Sequence, residues 1–189
     1  MCGRYYVDDE TSREIRKILE HLDNTDLSGG TYKTGEIFPT ERVPVLTKDD
    51  KNVKPAIYKW GFPGFQNKGV LINARSETAT EKKTFRESVM HRRCIIPANG
   101  FYEWDKSKNK YYFHRDGSDM IYMAGFYQNF NHENRFMILT TAANDSMSAI
   151  HHRMPLILDN REAEDWIFDN QSVDFILNKI SPNLIHEKV

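Results

Sequence analysis

The sequence predicts an α+β fold, a single domain in which a mainly antiparallel, barrel-like β-sheet carries peripheral helices. Three observations lead there. At 189 residues the chain is long enough for one substantial core, and one domain is the simplest reading of that length. From Arg93 to Thr141 five apolar and aromatic runs follow one another with short polar breaks, the pattern of strands joined by tight turns. Helical periodicity is confined to stretches on either side of that block, and neither an internal repeat nor a linker divides residues 1–189.

In chain order, Cys2 to Tyr6 reads as a first strand. Thr11 and Glu14 have the spacing of a capping box, and Ile15, Ile18, Leu19 and Leu22 follow at helical intervals, so a helix is predicted near 12–22. Asn24 to Gly35 reads as a loop closed by Gly29-Gly30. Val43–Thr47 and Val53–Lys59 are β-rich runs about the polar turn Lys48–Asn52, hence a hairpin. Trp60-Gly61-Phe62-Pro63-Gly64 reads as a turn-rich aromatic loop, and Val70-Leu71-Ile72 as a short buried strand. A helix is predicted over 80–91. The central strands are Arg93–Pro97, Gly100–Asp105, Tyr111–Arg115, Ile121–Asn129 and Phe136–Thr141, followed by a helical turn at 145–150 and a strand at Leu156–Leu158. Asn160 is expected to cap a helix over 161–168, with Glu162 and Glu164 favourably placed against its dipole. A last helix, 172–179, ends before Pro182.

Composition narrows the function classes. Hydrophobic residues make up 39% and aromatics 12% of the chain, as in soluble globular proteins. No apolar run approaches the roughly 20 residues of a membrane-spanning helix, and Asp8, Asp9 and Glu10 follow the N-terminus too closely for a signal-peptide core. Two cysteines make no disulfide framework, which points to a reducing, cytoplasmic setting. No CxxC or HExxH spacing occurs, so neither a metal site nor a cofactor is expected. The net charge of −1 argues against a generally basic nucleic-acid binder. Charge is nevertheless uneven, basic between Arg75 and Arg93 and acidic between Asp159 and Asp174.

The chemistry begins at Met1-Cys2-Gly3-Arg4. A small second residue permits removal of the initiator methionine, and Cys2 then carries an α-amine and a thiol on one carbon skeleton. With ordinary pKa values of about 7.7–8.0 and about 8.5, both groups are partly deprotonated near neutrality. An aldehyde condenses with such an amine, and the thiol closes onto the imine to give a thiazolidine. Amines that form Schiff bases and thiolates that attack carbonyls are both covalent catalysts. The plainer reading of Cys2 is a small residue in an N-terminal strand.

Three further segments are dense in catalytic residue types: Asn73-Ala74-Arg75-Ser76-Glu77-Thr78, the run from Arg92 to Trp104 with Glu103 inside an aromatic strand, and Thr140 to Asn144 leading to His151-His152-Arg153-Met154-Pro155. Together with the N-terminal tetrapeptide, in this order, they resemble the SOS response-associated peptidase family, whose members shield abasic sites in single-stranded DNA. The resemblance runs from residue 1 to about 168.

It implies that the Cys2 amine forms a Schiff base with the ring-opened abasic sugar and the thiol closes the ring, leaving a covalent DNA–protein crosslink. Without closure the Schiff base permits β-elimination, an AP-lyase outcome. It also implies that Asn73 orients the aldehyde end, that Glu103 is the acid/base carboxylate and that His151 shuttles a proton, while His152 falls at a variable position. Desolvation among Phe101, Tyr102 and Trp104 is expected to raise the Glu103 pKa. Arg4 and Arg75 match phosphate-contacting positions, and Arg153 adds a phosphate contact or braces its loop. Pro39, Thr40 and the Trp60 loop match segments that line a DNA groove and stack on or wedge between bases. The expected partner is therefore single-stranded DNA containing abasic sites, bound by a monomer. Cys94 reads as a buried, inert thiol.

Two departures stand out. Phe65-Gln66 occupy the place of a tryptophan pair common in relatives, so the wedge or stacking contact is either weaker or supplied by Phe62 or Phe65. The family usually continues with another strand and a proline-rich tail after the last helix, whereas this chain stops at Val189, so either part of the sheet edge is loosened or the tail is dispensable. Three other readings remain open: a peptidase that exposes Cys2 by self-processing, an N-terminal-nucleophile glutamine amidotransferase that also begins Met-Cys-Gly, and a noncatalytic single-stranded-DNA binding module.

Overall fold

The computed structural model describes residues 2–10, 13–23, 31–118 and 120–189. The chain opens with β1 (Arg4–Val7), α1 (Arg13–Asp23), β2 (Gly35–Ile37) and the hairpin of β3 (Arg42–Asp49) and β4 (Asn52–Trp60). A small hairpin, β5 (Phe62–Pro63) and β6 (Val70–Leu71), precedes β7 (Asn73–Arg75) and α2 (Lys83–His91). Then come β8 (Arg93–Ala98), β9 (Gly100–Trp104), β10 (Lys110–His114), β11 (Ile121–Phe130) and β12 (Glu133–Ala142). The chain ends with β13 (Arg153–Pro155), β14 (Ile157–Leu158), α3 (Asn160–Phe168), α4 (Val173–Leu177) and β15 (Ile185–Lys188).

Five strands close into a ring in the order β4-β3-β8-β11-β12, with β12 returning to β4. Every contact in the ring is antiparallel except that closing pair, where Arg135 registers with Lys59 and Phe136 with Trp60 in parallel. β7 lies parallel beside β12, and β13 is antiparallel to its C-terminal end. A second sheet, β15-β10-β9-β1-β2, is antiparallel throughout. The α+β, barrel-like architecture expected from the sequence is therefore the one found, with its strand-rich centre at 93–142.

Burial explains why the strands differ in pattern. In β1, Tyr5 and Val7 are buried while Arg4 and Tyr6 face outward, the alternation of a sheet covered on one side. All six residues of β8 are buried. Cys94, Ile96 and Ala98 belong to the inner core, whereas Ile95 packs with Phe85, Ala163 and Trp166 beneath α2 and α3. A strand covered on both faces reads as a continuous apolar run. Arg93 fastens that helical layer, donating to Trp166 O, Met90 O and, at 2.9 Å, Asn170 Oδ1.

Several local expectations are corrected. The N-cap of α3 is Asp159, whose carboxylate accepts from Glu162 N–H at 2.9 Å while Glu162 accepts from Asp159 N–H at 2.8 Å. Asn160 is the first helical residue instead, because the reciprocal box favours the acidic pair. The Trp60 loop splits into the end of β4 and the start of β5, and Val70 and Leu71 are an exposed hairpin arm, not a buried strand. Gly61 makes the corner with a φ of +105°, and a Cβ there would lie 2.1 Å from Val70 Cγ1. A strand does follow the last helix: β15 pairs with β10, so the sheet edge is occupied within these 189 residues. The capping box at Thr11 and the Gly29-Gly30 loop lie outside the described residues.

Trp60 is fully buried. Its ring lies 5.1 Å from Tyr5 and stacks at 6.4 Å on Phe136, and its Nε1–H donates to Ile72 O at 3.1 Å. That ring is a pillar of the core and no platform for a base, because the parallel closure of β4 on β12 turns it inward. Trp60→Phe is expected to lower unfolding stability by about 2 kcal/mol through the orphaned Ile72 carbonyl and lost volume, measured by urea unfolding.

Candidate active site

Cys2 lies just before β1 and is fully buried. Its carbonyl accepts a 2.8 Å hydrogen bond from Asn73 Nδ2, which joins the start of β1 to β7, and its Sγ reaches Arg4 O at 3.8 Å. With Nδ2 engaged, the Asn73 Oδ1 is a buried acceptor without a hydrogen-bond partner. β9 turns Glu103 inward at 5% exposure beside the fully buried Phe101, since register and alternation put Tyr102 and Trp104 on the opposite face. Glu103 is thus an inward carboxylate rather than an ordinary outward strand residue.

The thiol behaves differently from its sequence expectation. Burial, and then the nearby Glu103 charge, push the Cys2 pKa well above that of a free thiol. In this enclosed state the sulfur is held as a thiol near neutrality, so its reaction requires a proton acceptor. Cys94 is buried too, and burial alone raises its pKa.

The His151 segment leads into β13, on the opposite side of β12 from β7: Thr140 registers with Arg75 on one side and Pro155 on the other. His151 Nδ1 lies 3.0 Å from both the Arg153 N–H and the Arg153 carbonyl oxygen, so the backbone of Arg153 fixes the ring's orientation. His152 stacks on it at 4.5 Å between centroids and is exposed, its pKa lowered chiefly by the charge of His151.

Arg153 is 8% exposed and donates to both Glu77 oxygens, at 2.5 and 2.9 Å, and to Thr140 O. Those hydrogen bonds hold the Glu77 carboxyl below the usual carboxylate range. Of the two expectations for Arg153, bracing the loop is the one the geometry shows. Arg75 points outward, exposed, and makes no ion pair among the described residues. Arg4 is half-buried, paired with Glu36 at 3.1 Å. Pro39 and Thr40 form a turn anchored by Thr40 N–H donating to Trp60 O at 2.9 Å, with Thr40 at a φ of +75°. Phe62 is buried and Phe65 is 84% exposed, so of these two Phe65 is the one that presents its ring to solvent.

Cys2, Asn73 and Glu103 are therefore brought together. Arg75, His151 and Arg153 cluster about the end of β12, and Trp60 is withdrawn into the core. Glu77 and Glu36 were missed as contributors. Glu77 stands inside a motif already singled out, where only the fold reveals Arg153 as its partner, and Glu36 carries no sequence signal. Among the described residues no group of three or more His, Cys, Asp or Glu side chains is placed to hold a metal, and no helix is long and apolar enough to cross a membrane.

The profile of the SOS response associated peptidase (SRAP) family matches residues 1–185. The abasic site processing protein YoqW of Bacillus subtilis is 29% identical over 197 residues, covering 96% of this chain and 87% of the relative. The abasic site processing protein YedK of Escherichia coli is 29% identical over 177 residues, covering 88% and 79%. In structure the fold is shared by a crystallised Bacteroides thetaiotaomicron protein, with a TM-score of 0.82 at 23% identity over 100% of this chain and 92% of that one.

Proposed function

The chain belongs to the SOS response associated peptidase family, and from that premise we propose that it captures abasic sites in single-stranded DNA as a covalent adduct on Cys2 once Met1 has been removed. The supporting observation is the convergence of Cys2, Asn73 and Glu103 at the start of β1. Names of the relatives carry the substrate class.

The chemistry closes with one water lost. The Cys2 α-amine attacks the aldehyde carbon of the ring-opened sugar, and the carbinolamine expels water to give an imine. The sulfur then adds to the imine carbon while the thiol proton is transferred and the nitrogen takes up a proton, forming the thiazolidine. Glu103 is the acceptor for the thiol proton that burial retains. His151 donates a proton to the sugar ring oxygen as the closed form opens. Asn73 fixes the Cys2 carbonyl and presents Oδ1 toward the reacting end. Arg75 contacts a backbone phosphate, and exposed Phe65 stacks beside the lesion. If the sulfur fails to add, the imine permits β-elimination and strand cleavage. Exposing Cys2 needs hydrolysis of one peptide bond, by the protein itself or by an aminopeptidase.

Intact-mass spectrometry tests this directly. After incubation with a single-stranded oligonucleotide bearing one abasic site, the expected species is the protein without Met1, plus DNA, minus one water. The same oligonucleotide with an intact base should give none. With Met1 removal confirmed, absence of that species would overturn the proposal, and glutamine hydrolysis or lesion-independent binding would then identify the alternatives.

A further inference from the structure

Two strands of three residues flank the C-terminal half of β12. β7 lies on one side, with Arg75 in register with Thr140, and β13 on the other, with Arg153 in register with Ala142. The first carries Asn73 to Cys2, and the second begins two residues after His151. Pairing this short leaves the segments beyond the strand ends to be held by side chains. What ties β7 to β13 therefore decides whether Asn73 and His151 keep a common geometry.

One side-chain contact spans β12. Glu77 sits in a 3₁₀ turn, Ser76–Thr78, that follows β7 directly. Both its carboxylate oxygens accept from the Arg153 guanidinium, at 2.5 and 2.9 Å. Arg153 also donates to Thr140 O, so one guanidinium is fastened both to β12 and to the turn after β7. Its side chain is 10% exposed and that of Glu77 is 40% exposed. The backbone of the same arginine meets His151 Nδ1 at 3.0 Å, through its N–H and its carbonyl oxygen. A planar fork gripped at two carboxylate oxygens has one orientation, which a neutral partner would not impose.

We infer that Glu77 is a positioning residue for the reaction: through the Arg153 fork it sets the His151 ring relative to Asn73 across β12, without itself touching the substrate. The linkage runs from carboxylate to guanidinium, along Arg153 to its backbone, and from there to the imidazole. Removing the charge of Glu77 leaves a largely buried guanidinium with neutral acceptors alone. Such a cation is unfavourable to keep enclosed and turns toward solvent. Arg153 then shifts, and His151 follows it. The role of His151 as proton donor rests on the abasic-site reading, whereas the linkage from Glu77 to the His151 ring does not.

Glu77→Gln keeps the shape of the side chain and removes its charge. In single-turnover adduct formation with a single-stranded abasic oligonucleotide, the saturating rate is expected to fall about ten- to a hundredfold, the scale of a misplacement on the order of 1 Å, while the half-saturating DNA concentration holds. Arg153→Met should lose as much, and the double variant no more than either, because both substitutions break one linkage. In NMR spectra of the protein without DNA, the His151 ring resonances should move in both single variants. Lys179→Met breaks the Lys179–Glu162 pair between the segment after α4 and α3. It lowers stability, yet should move neither the rate nor the His151 resonances. A wild-type rate in Glu77→Gln, a loss confined to the half-saturating concentration, additive losses in the double variant, an equal loss in Lys179→Met, or unmoved His151 resonances would overturn the inference. If the unaltered protein forms no adduct, the reading of Cys2 falls, and the NMR comparison alone decides whether Glu77 positions His151.

Discussion

Cys2→Ala abolishes the adduct that survives denaturation, while binding to intact single-stranded DNA stays within a few-fold of the wild type. Alanine is as small as cysteine, so Met1 is still removed and the α-amine is still delivered. What disappears is the sulfur, and with it the ring. The imine that remains is hydrolysable and is expected to be trapped only when a hydride donor reduces it. Because the imine also permits β-elimination, strand cleavage should rise relative to adduct in this variant. Denaturing gels with and without borohydride separate the two groups' roles. A heat-stable adduct formed by the variant without reductant would show that the thiol takes no part.

Glu103→Gln produces the next largest loss: the rate of adduct formation near neutral pH falls by about 10²- to 10⁴-fold, the usual range for a positioned proton-transfer group. Its physical basis is the burial of Cys2, which keeps the sulfur protonated and makes a neighbouring acceptor necessary. The pH profile distinguishes this from a packing defect. The Glu103 charge is one of the causes that raise the thiol pKa, so removing it lets the thiol ionise at lower pH than in the wild type. At alkaline pH hydroxide replaces the missing base, and the deficit should narrow. A uniform loss across the pH range, with lowered unfolding stability, would assign Glu103 to structure alone.

Local patterns made much of this protein legible. The helix carrying Ile15, Leu19 and Leu22, the β3–β4 hairpin and the long strands of the centre each announce themselves by period or turn chemistry, since those signals lie within a few residues of one another. β2, β7 and β15 do not. They are three or four residues long, and β15 is exposed along its length; their existence depends on a partner strand supplied from elsewhere in the chain. β7 is the instructive case, because three residues beside β12 are enough to carry Asn73 to Cys2 and Arg75 to the surface.

The sequence by itself determined the chemical inventory: a cysteine behind the initiator methionine, an inward carboxylate candidate at Glu103, a histidine at 151 and arginines at 4, 75 and 153. Only the tertiary structure decided how each is used. Ring closure by a parallel β4–β12 pair drew Trp60 into the core, the bidentate contact with Glu77 made Arg153 a brace, and enclosure changed Cys2 from a partly ionised thiol into one that needs a base. The reason is common to all three. Residue type fixes which bonds and charges a side chain can offer, but burial and the identity of its neighbours arise from contacts between segments distant in sequence.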